Sequence, residues 1–360
     1  MPVNLAIIGI DHPHGAHWRQ TLENFGDRLR ISAIVPRFGG ALTSLEERFA
    51  EVPRFNTVDD AIARADFEAA LVTLPNDEGP AALVKLAAAG KHLLSEKPGA
   101  GAADDVRPLV AVARERNLAF QNGFMWRYDA CALRLRTMLA EERFGKLIHI
   151  DMRYVTSDIR RRGPEHYLFD KQVSGSGFLN WLGCHHLDLL LYLTGRRVVG
   201  VTARLGTFGV TPAPVDDGGT VIFDLEGGAL ATFTGGYWFP RWAGETTWSI
   251  RGSERWVDWK MAHPGTSGRL EIHGPQPQWH AMEETFQVAA DPTPGYGGVR
   301  GVDVVGDWLA AIEERRAVSG SSTAPRDCRN TPESTVATLE LLDAAYESSR
   351  TGRRIECSIG

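Results

Sequence analysis

Two stretches of the sequence combine residue types and spacing that can do chemistry. One is Ser95-Glu96-Lys97-Pro98-Gly99-Ala100-Gly101, which begins on the last residue of the apolar run 92–95. A lysine at the end of a buried strand points a cation into the crevice there, and a proline fixes the backbone beside it. A lysine on a solvated loop is the plainer reading. The other stretch, residues 175–188, places His185, His186 and Asp188 in an apolar helical run. An imidazole titrates near neutrality and can take or give a proton. Asp11, His12, His14 and His17 crowd one turn, and His166, His185, His186 and Asp188 another region. A metal ion wants three or four converging donors. Turn histidines in solvent explain the same pattern, and no metal ligand is assigned.

Residues 5–18 read LAIIGIDHPHGAHW, an apolar strand running into a turn at Gly9. Dinucleotide loops have this form, with further glycines where this chain has Asp11 and His14. Asp11 stands where the backbone would approach a pyrophosphate, and its charge has the wrong sign for that. It must turn away, pair with His14 or His17, or weaken binding. Gly15 can serve the close helix packing. The second strand ends in Val35-Pro36-Arg37, without the acid that often binds a ribose 2′-hydroxyl. Arg37 suits a 2′-phosphate, so NAD and NADP both stay open.

The elements that must hold these residues follow from periodicity. Apolar strands at 3–8, 30–35, 69–74, 92–95 and 119–121 alternate with helices at 18–25, 42–50, 59–64, 80–89 and 103–116. Wholly apolar strands separated by helices imply a parallel sheet covered on both faces. The fold class is therefore α/β: an N-terminal doubly wound Rossmann domain over 1–124. Ligands in such sheets sit beyond the carboxyl ends of the strands. That puts Gly9, Ile10, Asp11, His12, Pro36, Arg37, Leu74, Pro75, Asn76, Glu96 and Lys97 at a cofactor crevice. After 124 the pattern changes. Helices at 130–142 and 178–193 flank a strand at 147–155 and a polar connection at 156–176. Strands at 198–209, 219–225, 229–239, 244–251, 255–260 and 268–273 then follow with Gly-rich turns. Such runs imply a large open, mostly antiparallel sheet. Helices at 302–317 and 333–350, separated by a Ser/Pro/Thr loop at 319–332, complete an α+β domain over 125–360.

The chain has 360 residues, 43% hydrophobic and 23% charged, which fits a two-domain globular protein. With 39 basic against 45 acidic residues the net charge is −6, which promises no polyanionic partner. Arg160-Arg161-Arg162 is an isolated basic run, too small for nucleic-acid affinity that rests on many phosphate contacts. Cys131, Cys184, Cys328 and Cys357 lie far apart, which suits a reducing compartment. The apolar run at 5–10 lacks a basic leader, so no secretory signal is expected and the cytoplasm is the default location. No segment approaches the roughly 20 apolar residues of a membrane span.

Pro75-Asn76 and Ala89-Gly90-Lys91-His92-Leu93-Leu94-Ser95-Glu96-Lys97-Pro98 resemble motifs of the glucose–fructose oxidoreductase / inositol dehydrogenase / MocA family (Gfo/Idh/MocA). Residues 175–188, GSGFLNWLGCHHLD, resemble its G-G-G-x-L-x-D-x-G-x-H-x-x-D signature, and 344–352 its last helix. The resemblance covers essentially the whole chain. It implies an NAD(P)-dependent oxidoreductase acting on a hydroxyl of a sugar, polyol or glycoside, working as a homodimer or homotetramer. It implies that Lys97 lies beside the nicotinamide and binds the reacting hydroxyl, and that His185 is the general acid or base. Asp188, three residues on, would share the face of His185 and orient its ring. Trp126 and Arg127 would contact the cofactor, and Tyr154, Trp181, His185 and Asp188 the substrate. One departure bears on mechanism. The family's aspartate four residues before the histidine is Trp181, which offers an apolar face and one donor but no proton acceptor. Two other outcomes stay open: a redox-assisted glycoside lyase or hydrolase with tightly bound NAD, and a non-catalytic sugar-binding or regulatory relative.

Overall fold

The structure, a computed structural model, describes residues 1–9, 11, 14–37, 49–163, 166–263, 265–275, 282–317 and 325–360. Ile10, His12, most of the helix expected at 42–50, and residues 319–324 of the expected loop lie outside the described residues.

The chain divides into two compact units, Met1–Met125 with Thr293–Val336, and Trp126–Pro292 with Ala337–Gly360. The sequence reading left everything after 124 in one C-terminal domain. The structure instead returns residues 293–336 to the first unit. The helix Val299–Ala317 explains why: it buries Val304, Val305, Trp308, Leu309 and Ile312. Trp308 donates its indole N–H to the Ala119 carbonyl at 3.3 Å, and Arg28 holds Glu313 at 2.8 and 2.9 Å. Periodicity identifies an amphipathic helix but not the sheet it covers.

The first unit contains β1 (Val3–Ile8), β2 (Leu29–Val35), β3 (Ala69–Val72), β4 (His92–Ser95) and β5 (Phe120–Asn122). They form a parallel sheet in the order β2-β1-β3-β4-β5. Val3, Leu5, Ala6, Ile8, Ala69, Ala70, Leu93 and Leu94 have no exposed surface, as two covered faces require. The chain leaves β1 for β2 on one side, then crosses back to β3 on the other. That reversal opens a crevice beyond the carboxyl ends of β1 and β3.

The second unit carries β6 (Leu147–Ser157), β7 (Val198–Gly206), β8 (Gly218–Leu225), β9 (Leu230–Phe239), β10 (Gly244–Gly252), β11 (Trp256–Lys260), β12 (Gly268–His273), β13 (Met282–Val288) and β14 (Ile355–Ile359). They make one sheet ordered β13-β12-β11-β10-β6-β9-β8-β7-β14. β6 and β9 pair parallel and the other neighbours antiparallel. Along β6, Ile150 and Met152 are buried while Asp151 and Arg153 are exposed, so one face is covered and the other open. The polar connection expected at 156–176 includes three short helical turns, Ile159–Arg162, Tyr167–Phe169 and Lys171–Ser174. Among the described residues no helix is long and apolar enough to cross a membrane.

Candidate active site

The crevice between β1 and β3 is built on Gly9. Its φ is +78°, and a Cβ there would come within 2.8 Å of the Thr73 carbonyl oxygen. The Thr73 hydroxyl donates to the Gly9 carbonyl at 2.6 Å and reaches Ile8 O at 3.0 Å, which locks the loop to the end of β3. Asp11 turns toward the end of β2, where its carboxylate accepts the Arg37 backbone N–H at 2.7 Å. The Arg37 guanidinium is held by the Glu78 carboxylate, with Nε contacts of 2.7 and 2.9 Å. Pro36 and Leu74 are half-buried beside this crevice, and Pro75 and Asn76 are buried.

Lys97 and Glu96 are only 3% and 5% exposed at the carboxyl end of β4. Several groups pin their loop. Asn122 donates its amide to the Pro98 carbonyl at 3.3 Å, and the Ser95 hydroxyl donates to Glu96 O at 2.9 Å. The Glu96 carboxylate accepts the Trp18 indole N–H and lies 3.5 Å from His14 Nδ1. Trp18 stacks on Tyr296 with centroids 4.3 Å apart, and Tyr296 donates its hydroxyl to Gly123 O at 3.0 Å. Trp18, Asn122 and Tyr296 escaped the sequence reading. For Tyr296 the available signal was its setting, Gly295-Tyr296-Gly297-Gly298, an aromatic among glycines.

In the second unit the expected helix at 178–193 is not uniform. A π-helical turn, Leu179–Gly183, precedes the α-helix Cys184–Thr194 that carries His185 and His186. Such turns are frequent at functional sites because they re-aim the side chains around them. Asp216 anchors this one: its carboxylate accepts the N–H groups of Gly177 at 2.8 Å and Leu179 at 3.1 Å, and the Tyr346 hydroxyl at 2.9 Å. A Cβ on Gly177 would sit 1.9 Å from the Asp216 carbonyl oxygen, so only glycine fits. Burial raises the Asp216 carboxyl against the lowering effect of those donors. Asp216→Ala leaves three buried donors unanswered, and we expect a loss of at least about 3 kcal/mol. Thermal unfolding of the variant measures it; a stability within 1 kcal/mol of the parent, itself about the worth of one hydrogen bond, would contradict this role. Trp181 is 4% exposed and meets Tyr167 edge-on at 5.9 Å. Asn180 has no exposed surface, and its side-chain amide bonds to no other described group. Burying both amide atoms unbonded costs several kcal/mol, a cost the sequence reading did not foresee.

Asp188, expected beside the His185 ring, and Arg127, expected at a cofactor, bind each other. Arg127 Nε lies 2.9 and 3.1 Å from the two Asp188 oxygens and Nη2 2.6 Å from one, with side-chain exposures of 6% and 0%. Thr338 adds a 3.4 Å contact to Asp188, and Arg127 also lies over the Tyr192 ring at 5.0 Å. A guanidinium fork satisfies a buried carboxylate better than a single ring N–H can, so the long-range partner wins. Trp126 is buried edge-on to His263 at 5.6 Å. Tyr154 lies among Phe178, His186 and His263, at 5.5–5.9 Å, and burial raises its phenol. It stays protonated, a donor rather than a base.

His185 is 7% exposed, whereas its neighbour His186 points to the sheet and accepts the Trp248 indole N–H on Nδ1 at 2.9 Å. Burial, with His263 nearby, pushes the His186 pKa down to about 3, and burial pushes His92 of the first unit down to about 4. Unfolded, each would bind a proton near pH 6.5. The stability these neutral rings contribute is therefore whole above pH 6.5 and drains away as the pH falls toward those lower values. For His186 alone the loss at pH 5 is about 2 kcal/mol. Denaturant midpoints between pH 7.5 and 5 should fall, and less so in His186→Gln; equal slopes would refute the assignment.

Residues 3–124 match the family model described as "Oxidoreductase family, NAD-binding Rossmann fold", and residues 132–258 match "GFO/IDH/MocA C-terminal domain". The chain belongs to the GFO/IDH/MocA family. It is 28% identical over 186 residues to trans-1,2-dihydrobenzene-1,2-diol dehydrogenase of Bos taurus, covering 51% of this chain and 53% of that protein. It is 28% identical over 238 residues to inositol 2-dehydrogenase of Streptomyces avermitilis, covering 63% and 64%. The match thus spans less than two thirds of either relative's length. A solved levoglucosan dehydrogenase in complex with NADH and levoglucosan superposes with a TM-score of 0.81 at 19% identity, covering 99% of both chains.

A GFO/IDH/MocA Rossmann domain implies a nicotinamide dinucleotide, and the donor set beyond β1 fits one. The helix Gly15–Leu22 has no acidic residue in its first turn and no side-chain cap, so its leading N–H groups are open to a pyrophosphate. Asp11, the residue of opposing charge, is spent on Arg37 N–H. Among the described residues no three His, Cys, Asp or Glu side chains converge as a metal site.

Proposed function

We propose that the protein is an NAD(P)-dependent oxidoreductase that oxidises a CH–OH group of a sugar, polyol or glycoside. Lys97 carries this reading: a lysine 3% exposed at the carboxyl end of β4, beside the crevice at the sheet's switch point, on a loop pinned by Asn122. That position sets a cation where ligands of such sheets gather. Bound nicotinamide supplies the hydride acceptor. Lys97 donates to the substrate hydroxyl oxygen and stabilises the charge that grows on it as the C–H pair departs. His185 takes the hydroxyl proton, leaving the carbonyl product. Trp181 offers an apolar face instead of the family's second carboxylate. The dehydrogenase and sugar-ligand names among the relatives support the substrate class.

Incubating the purified protein with NAD+ or NADP+ and a panel of polyols, aldoses and glycosides tests this through the absorbance of reduced nicotinamide. Turnover of cofactor-loaded protein without net reduction would defeat it in favour of a redox-assisted elimination. We also take the assembly to be a homodimer or homotetramer of a cytoplasmic protein. Phe208, Ile222, Leu230, Met282 and Phe286 are 38–50% exposed on or beside the nine-stranded sheet, and Cys131, Cys184, Cys328 and Cys357 are free thiols. Light scattering that gave a monomer mass would refute that assembly.

A further inference from the structure

β2 ends without an acid, yet the crevice there is acidic in three dimensions. Arg37, 50% exposed in its side chain, is gripped through Nε by both oxygens of Glu78 at 2.7 and 2.9 Å. Glu78 arrives from the other side of the switch point, as the residue immediately before the helix Gly79–Ala88. Asp11 accepts the Arg37 backbone N–H at 2.7 Å, and Asp77 and Asp11 both act on the guanidinium charge. One cation thus faces three carboxylates. Exposed ion pairs contribute little stability, typically about 0–1 kcal/mol, so the fold does not need this one.

We infer that Glu78 makes this chain select NAD over NADP: it neutralises Arg37 and supplies, from across the crevice, the carboxylate that β2 lacks. The inference rests on the dinucleotide reading above and sharpens it. A 2′-hydroxyl can donate to a carboxylate, whereas a 2′-phosphate brings close to two negative charges. Against an acidic surround at a surface-like dielectric, that repulsion weakens binding by roughly ten- to hundredfold. Arg37 alone would reverse the preference, a choice that the unaided sequence leaves open. The pair therefore works as a selector, with Arg37 as the latent phosphate site and Glu78 as its block.

The test measures binding, not turnover: titration of the full chain with NAD+ and NADP+, followed by calorimetry, for the parent, Glu78→Gln, Glu78→Ala and Glu78→Gln/Arg37→Gln. The parent should bind NAD+ at least about tenfold tighter, with the gap narrowing as salt rises. Both single variants should shift the NADP+/NAD+ ratio by about tenfold or more toward NADP+, and adding Arg37→Gln should erase that gain. A parent that prefers NADP+, or a ratio unchanged in both Glu78 variants, would overturn the role of Glu78 while leaving the oxidoreductase reading intact. A parent that binds neither dinucleotide would overturn both.

Discussion

Lys97→Met lowers turnover on the physiological substrate by roughly three orders of magnitude, with NAD affinity held within about threefold. The substitution keeps the length and apolar stem of the side chain and removes only the charge and its donors. Lys97 is 3% exposed, so the stem stays packed where it is and the loop keeps its supports from Asn122 and Ser95. In the proposed mechanism, what disappears is a cation that meets the oxygen on which charge grows during hydride loss. Removing a single such donor costs about a hundred- to thousandfold, and here the donor also carries full charge. The loss should fall on kcat more than on KM, because the interaction strengthens in the transition state. Unchanged turnover in Lys97→Met would sink the mechanism, whatever the substrate proves to be.

Arg127→Met destabilises the second unit by about 3–5 kcal/mol, a fall of about 10 °C or more in its unfolding temperature. The guanidinium meets both oxygens of Asp188, which has no exposed surface and which Thr338 also contacts at 3.4 Å. Burial already pushes the Asp188 carboxyl up, and Arg127 is what holds it down. Without the arginine, folding must either bury an uncompensated charge or protonate it. Arg127→Met/Asp188→Leu should recover most of the loss, because a buried pair replaced whole by apolar groups is close to neutral. Calorimetric unfolding of the two variants separates the pair from its surroundings. A single variant as stable as the parent would show the pair to be incidental. Asp188 lies three residues after His185 on one helix, so the single variant should also lose activity through that helix, and the double variant regain it.

Much of the fold is legible without coordinates. Unbroken apolar runs separated by helices determine β1 to β5 as a parallel sheet, since only strands covered on both faces read that way. The glycine at position 9 and the Glu-Lys-Pro after β4 mark the strand ends where ligands gather. β14 was passed over: Ile355, Cys357 and Ile359 alternate with exposed Glu356 and Ser358, but over only five residues, and pairing with β7 identifies the strand. The π turn at Leu179–Gly183 was equally hidden, since it depends on Asp216, some 37–39 residues away, taking two of its backbone donors.

The sequence by itself determined which residues are chemically able: Lys97, His185, Asp188, Arg37, Asp11. The tertiary structure decided what each of them is joined to. Spacing along a helix proposed His185 for Asp188, and the fold supplied Arg127, 61 residues distant. Position at a strand end proposed a phosphate for Arg37, and the fold brought Glu78 from beyond β3. The physical reason is common to both. A charge leaving bulk water needs a counter-charge with matching geometry, and the order of strands in the sheet selects which one arrives.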